Sequence, residues 1–129
     1  MTAPIIDKLA LIGVGLIGGS IARAAREYGA VRTIVATARS EATRRRVIEL
    51  GIADQVVETN AEAAKDADLV IVCIPVGASG PVAAEIAGSL KPGAIIGTLF
   101  GKPAIIRRGR LQAAFQQFID RDISLGDRR

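Results

Sequence analysis

Residues 8–20 read KLALIGVGLIGGS, and this stretch decides the fold. Lys8 to Val14 is a short apolar run that ends at glycine, the pattern of a buried first strand. Gly13-Val14-Gly15-Leu16-Ile17-Gly18 follows at once, and an Ala- and Arg-rich helical pattern then runs from Ser20 to Tyr28. A G-x-G-x-x-G string is weak by itself, because glycines are common. Here a strand ends at it and a helix begins inside it, the context that a dinucleotide fingerprint requires. Each glycine has a physical task in such a loop. Gly13 permits the tight turn, Gly15 lets the backbone approach a pyrophosphate, and Gly18 lets the helix pack on the strand. The N–H groups and dipole of the first helical turn, with Leu16 and Ile17, then favour an anion.

Working outward, strands and helices alternate. Gly29 is placed as a helix C-cap, and Val31 to Ala36 is a β-branched strand. Ser40 caps a helix over residues 41–50, which Gly51 ends. Gln55 to Glu58 reads as a short third strand, and Asn60 as the cap of a brief helix through Ala64. Leu69 to Ile74 has no polar residue, so it belongs in the middle of a parallel sheet covered on both faces. Ser79 and Pro81 open a helix to about Leu90, Lys91-Pro92-Gly93 is a turn, and Ala94 to Ile96 begins a fifth strand. The expected fold class is α/β, a doubly wound parallel sheet of Rossmann type.

The end of the second strand selects the cofactor. An NAD site usually has Asp or Glu there, bonding the ribose 2′-OH. Ala36-Thr37-Ala38-Arg39-Ser40 has no acid. Arg39 beside the small Ala38 suits a 2′-phosphate, and Ser40 can add a hydroxyl donor. The reading leans to NADP over NAD, against the plainer account in which Arg39 is a solvated loop residue. Arg44, Arg45 and Arg46 read mainly as a solvated helix face. Ile74, Pro75 and Val76 end the fourth strand, where ligands of such sheets lie, and are expected to border the nicotinamide ribose. Cys73 reads as a small core residue rather than a nucleophile.

Composition narrows the chemistry. The chain has 129 residues, 50% hydrophobic and 23% charged, with a single cysteine and no histidine. This excludes an internal disulfide, a cysteine-histidine metal site and an imidazole base from the chain itself. No signal peptide is read at the N-terminus, and the longest apolar run, residues 69–76, is too short to span a bilayer. A cytoplasmic protein is expected, with no metal, membrane or nucleic-acid partner.

The net charge of +4 is unevenly placed. Residues 1–96 balance ten basic against ten acidic side chains, whereas residues 97–129 hold seven basic and three acidic, with all three phenylalanines. The expected organisation is a dinucleotide-binding domain over 1–96 and a divergent basic tail over 97–129. Leu111, Phe115, Phe118 and Ile119 form one stripe of an amphipathic helix in that tail. The tail lacks the interleaved aromatic and basic residues of a nucleic-acid stacking platform. Homo-oligomer formation through the tail helix or an exposed fifth-strand edge is a further expectation.

Three segments together carry a resemblance: LALIGVGLIGGSIARAAREYG at 9–29, IVATARSEATRRRVIELGIAD at 34–54, and ADLVIVCIPVGA at 67–78. They resemble the cofactor domain of the prephenate/arogenate (cyclohexadienyl) dehydrogenase family, over roughly residues 8–96. The resemblance implies oxidative decarboxylation of prephenate or arogenate in tyrosine biosynthesis, with hydride transfer to a nicotinamide. By position, Gly13, Gly15, Leu16, Ile17 and Gly18 would hold the pyrophosphate, Arg39 and Ser40 the adenosine ribose, and Ile74, Pro75 and Val76 the nicotinamide side. No catalytic residue carries over, because the family's histidine and its helical second domain have no counterpart in this sequence. Gly97-Thr98-Leu99-Phe100-Gly101-Lys102 departs from the family pattern. Two accounts of the tail follow: a frameshifted or truncated reading of a longer gene, or a genuine specialised C-terminus. Two other functions stay open beside the dehydrogenase: a stand-alone NADP-binding sensor or regulatory module, and the cofactor domain of another reductase of the β-hydroxyacid dehydrogenase type.

Overall fold

The computed structural model describes residues 4–74, 81–82, 85–98 and 104–105. Strand β1 (Ile6–Ile12) leads through the fingerprint into helix α1 (Leu16–Glu27), followed by β2 (Val31–Thr37), α2 (Glu41–Glu49), β3 (Gln55–Val57), α3 (Asn60–Ala64) and β4 (Leu69–Val72). Pro81, Val82, Glu85 and Ile86 are helical, and a 3-10 turn at Ala87–Ser89 leads to β5 (Ile95–Thr98) and β6 (Ala104–Ile105). The six strands lie in the order β3-β2-β1-β4-β5-β6. The first five are parallel, and β6 is antiparallel to β5.

The period-two alternation of β1 explains why both faces are covered. Ala10 and Ile12 join Val35, Val70, Val72 and Ile96 in one core cluster, packed with Ala63, Ala64 and Ile86. Leu9 and Leu11 point the other way, to Ile34, Ala36, Ala22 of α1 and Val47 of α2. Leu9 through Ile12 are therefore buried without a break, as a central parallel strand demands. The β1 run is displaced from the sequence reading: the strand ends at Ile12, because the chain must turn at Gly13, whose φ is +76°. The turns after α1 and α2 place Gly29 and Gly51 at φ +62° and +66°, a region that glycine occupies without a Cβ penalty.

Two expectations need correction. The cap of α3 is Thr59, whose hydroxyl accepts from the Glu62 amide at 3.2 Å; Asn60 is the first helical residue and its side chain bonds elsewhere. The fifth strand, expected to begin over 94–96, runs from Ile95 to Thr98, and β6 adds residues 104–105. The outer edge of β5 is not open, since Ile95 and Ile96 pair with Ile105 and Ala104. A two-residue antiparallel return gives too weak a hydrophobic alternation to be seen in sequence. The amphipathic pattern at 111–119 lies outside the described residues. Among the described residues, no helix is long and apolar enough to cross a membrane, and no cluster of His, Cys, Asp and Glu could hold a metal.

Candidate functional site

The chain leaves β1 for β2 on one side and enters β4 on the other, so a crevice opens beyond the carboxyl ends of these strands. A cleft of about 1060 Å³ occupies that place. Its lining comes from the carboxyl ends of the first four strands: Ile12 to Gly15 at β1, Thr37 to Ser40 at β2, Glu58 after β3, and Cys73 and Ile74 after β4. Thr43, Asn60, Pro81, Val82 and Glu85 complete the wall. Clefts for small ligands and cofactors run to roughly 300–1,000 Å³, so this one has room for a dinucleotide.

The fingerprint loop is built for close approach. A Cβ on Gly13 would stand 2.5 Å from Ile74 Cγ2, so the turn tolerates no side chain. A Cβ on Gly15 would meet nothing within 4 Å, which leaves the open space to a ligand. A Cβ on Gly18 would lie 3.4 Å from Cys73 Sγ, and the helix therefore seats directly on the end of β4.

Helices α2 and α3 have side-chain caps, Ser40 and Thr59. Helix α1 has none: Gly15 is its N-cap, with no side-chain bond and no acid in the first turn. Its first N–H groups have no intrahelical partner, and the positive end of its dipole is unopposed. The amides of Gly13 and Val14 are already spent. The first donates to Thr37 Oγ1 at 2.9 Å and the second to the Thr37 carbonyl at 3.2 Å. The donors left for an anion begin at Gly15. An uncapped helix start, a glycine with open space before it and a cleft of this size together fit a pyrophosphate-bearing dinucleotide.

The β2–α2 turn is held by a residue that the sequence reading placed on a solvated face. Arg44 Nη1 donates to the carbonyls of Ala38 and Arg39, both at 2.9 Å, and so fixes the turn that carries Arg39. Arg45 and Arg46 are paired on the helix surface with Glu41 and Glu49. The Arg39 guanidinium makes no hydrogen bond or ion pair among the described residues and lines the cleft. Ala38 is 7% exposed, and neither β2 nor the turn after it at residues 38–40 supplies an acid. Ser40 Oγ accepts from the Thr43 amide at 3.1 Å and lies 2.7 Å from Thr43 Oγ1. Thr43 can donate in that pair, which frees the Ser40 proton.

The register of β2 on β3 pairs Thr37 with Val57, so Glu58 follows beside Ala38. This acid reaches the cleft from the neighbouring strand, where a search along β2 alone does not find it. Thr37 was also missed. It is the single buried polar side chain among the described residues, 4% exposed, and its signal was a hydroxyl at the end of an otherwise apolar strand. Burial pushes the Cys73 thiol up to about 11, so it stays protonated and is no nucleophile near neutral pH. Of the residues read from sequence, Gly13, Gly15, Arg39, Ser40 and Ile74 line one cleft. The backbones of Leu16, Ile17 and Gly18 form the first turn of α1. Pro75 and Val76 lie outside the described residues.

Comparison with known proteins identifies the family and the fold. A family model described as prephenate dehydrogenase, nucleotide-binding domain, matches residues 21–110. The matched range begins inside α1, after the fingerprint glycines, and ends beyond Gly97. A cyclohexadienyl dehydrogenase of Zymomonas mobilis is 41% identical over 92 residues, 71% of this chain and 31% of that protein. Two solved structures share the fold. Prephenate dehydrogenase from A. aeolicus, in complex with hydroxyphenyl propionate and NAD+, superposes with a TM-score of 0.67 at 21% identity, over 88% of this chain and 38% of that one. Synechocystis arogenate dehydrogenase gives 0.67 at 21% identity, over 85% and 37%. The chain thus spans less than two fifths of the length of each of these proteins.

Proposed function

Because this chain belongs to the prephenate dehydrogenase family, matched in its nucleotide-binding domain, we propose that it is the cofactor-holding part of an NAD(P)-dependent dehydrogenase acting on prephenate or arogenate. The observation that carries this reading is the uncapped start of α1, opening with Gly15 onto the cleft. When bound, the nicotinamide supplies a hydride acceptor for oxidative decarboxylation. The chain's own residues bind and orient. The first-turn amides of α1 would hold the pyrophosphate, and Gly13 keeps the loop tight against Ile74. Ile74 would border the nicotinamide ribose. Cys73, kept protonated by its surroundings, takes no part in proton transfer.

We further propose that the cleft prefers NADP. Arg39 has no partner among the described residues, and Ser40 and Thr43 stand next to it with hydroxyls at the start of α2. A planar guanidinium binds a phosphate through two parallel hydrogen bonds, and no acid from β2 opposes it. One observation favours NAD instead: Glu58, brought beside Ala38 by strand register, could accept from a ribose 2′-OH. Calorimetric titration of the full chain with NADP+ and NAD+ separates the two. The expected dissociation constant is about tenfold or more lower for NADP+, the order of one charge-assisted hydrogen bond. Equal or tighter NAD+ binding would assign selectivity to Glu58. No heat with either ligand would contradict the cofactor-holding role itself.

A further inference from the structure

Thr37 stands at the centre of a chain of hydrogen bonds that crosses the floor of the cleft. Gly13 N–H donates to Thr37 Oγ1 at 2.9 Å, Thr37 Oγ1 donates to Asn60 Oδ1 at 2.9 Å, and Asn60 Nδ2 donates to Glu85 Oε2 at 3.2 Å. The Thr37 carbonyl takes the next amide of the loop, that of Val14. One residue thus ties the fingerprint loop to α3 and to the helical segment carrying Glu85. Its single proton is committed to Asn60, and it is almost wholly buried, so it acts through its partners.

We propose that Thr37 is a positioning residue for the pyrophosphate: its hydroxyl sets the Gly13 end of the loop so that the free amides from Gly15 onward converge on the anion. The inference rests on the dinucleotide reading above. The direction of the chain supports it. Every donor in it points away from the fingerprint, so the loop gives up the Gly13 and Val14 amides to gain a fixed orientation for those that follow. A hydroxyl is needed for this, because only a group that both accepts and donates can join the Gly13 amide to the Asn60 carbonyl oxygen. Valine has the same shape and neither capacity, and would leave the Gly13 amide without its partner.

The test compares Thr37→Val and Thr37→Ser with the parent chain, using two probes. NADP+ contains the pyrophosphate; 2′-AMP occupies only the adenosine end. Thr37→Val is expected to weaken NADP+ binding about tenfold, the order expected when a hydrogen bond loses one partner. Its 2′-AMP affinity should stay within about twofold, and the Gly13 amide should exchange with solvent faster. Thr37→Ser should restore NADP+ binding. Equal NADP+ affinity in the Val variant and the parent, or equal losses for both probes, would overturn the proposal. If Thr37→Val does not fold, Asn60→Ala decides. It removes the acceptor of the Thr37 proton at a half-buried surface position, and should weaken NADP+ about threefold while sparing 2′-AMP. No selective loss there would count against Thr37. Failure of the parent chain to bind NADP+ would instead reject the dinucleotide reading, which separates the two failures.

Discussion

Gly13→Ala is expected to lose stability and cofactor together, whereas Gly15→Ala should lose the cofactor alone. Position 13 has φ +76°, where a Cβ crowds its own backbone at a cost of roughly 1–2 kcal/mol. The added Cβ would also stand 2.5 Å from Ile74 Cγ2. That methyl sits on a β-branched side chain with few alternative rotamers, so relief has to come from the loop. Overpacking of this kind typically costs about 1–3 kcal/mol. Moving the loop breaks the bonds from Gly13 and Val14 to Thr37 and misaligns the amides that follow. We expect a loss of about 3 kcal/mol in stability, the sum of backbone strain and overpacking, and NADP+ binding weaker by about 100-fold or more. Gly15, by contrast, has φ −116° and ψ −164°, an extended conformation open to any residue, with no atom within 4 Å of an added Cβ. Its alanine variant should melt within a degree or two of the parent and bind at least tenfold more weakly, because the methyl occupies the space a phosphate needs. Thermal unfolding and calorimetry on the two variants read both quantities. A Gly13→Ala chain of parental stability and affinity would mean that the tight turn is not required.

The second large effect concerns selectivity. Arg39→Ala should weaken NADP+ binding by about 30-fold, in the range of about 1.5–3 kcal/mol for a charge-assisted hydrogen bond, and change NAD+ binding by less than about twofold. The asymmetry is the informative part. Arg39 is exposed and makes no bond among the described residues, so its removal disturbs little else in the fold. The turn around it stays in place through Arg44, which holds the Ala38 and Arg39 carbonyls. Arg39→Lys should recover part of the loss, since an ammonium supplies the charge without the planar fork. Equal losses for both cofactors would mean that Arg39 serves the adenosine in general. An unchanged NADP+ affinity would remove it from the site and leave the register neighbour Glu58 as the residue that sets cofactor choice.

The parts of this architecture that depend on local pattern were legible in the sequence. Leu9 to Ile12 and Leu69 to Val72 are apolar without interruption because both faces of the sheet are covered, and both became central strands. Ser40 could be read as a cap because its short side chain is followed three residues later by the amide it receives. The rest depended on pairings between distant residues. Nothing near Glu58 shows that β3 sets it beside Ala38, twenty residues away in the chain. Nothing near Thr37 shows that its hydroxyl faces Gly13. Asn60 looked like a cap because Asn caps helices well, yet Thr59 took that position and freed Asn60 to bridge Thr37 and Glu85. Arg44 looked solvated because its helix is polar on most sides, but it folds back onto two carbonyls. The β5 edge looked open because β6 is only two residues long. Sequence patterning located the cleft and the loop that enters it; the hydrogen bonds that hold the cleft in shape join residues far apart in the chain and leave no local pattern.

The central claim is that a dinucleotide lies along the carboxyl ends of β1, β2 and β4 with its pyrophosphate on the start of α1. The most direct measurement is a titration of the isotopically labelled full chain with NADP+, followed residue by residue through its backbone amide resonances. The account predicts saturable shifts that are largest at residues 13–18 and 38–43, with smaller ones near Ile74. Shifts clustered instead on the shallower groove lined by Arg45, Ile48, Glu49 and Val56, or no shift at millimolar NADP+, would contradict it.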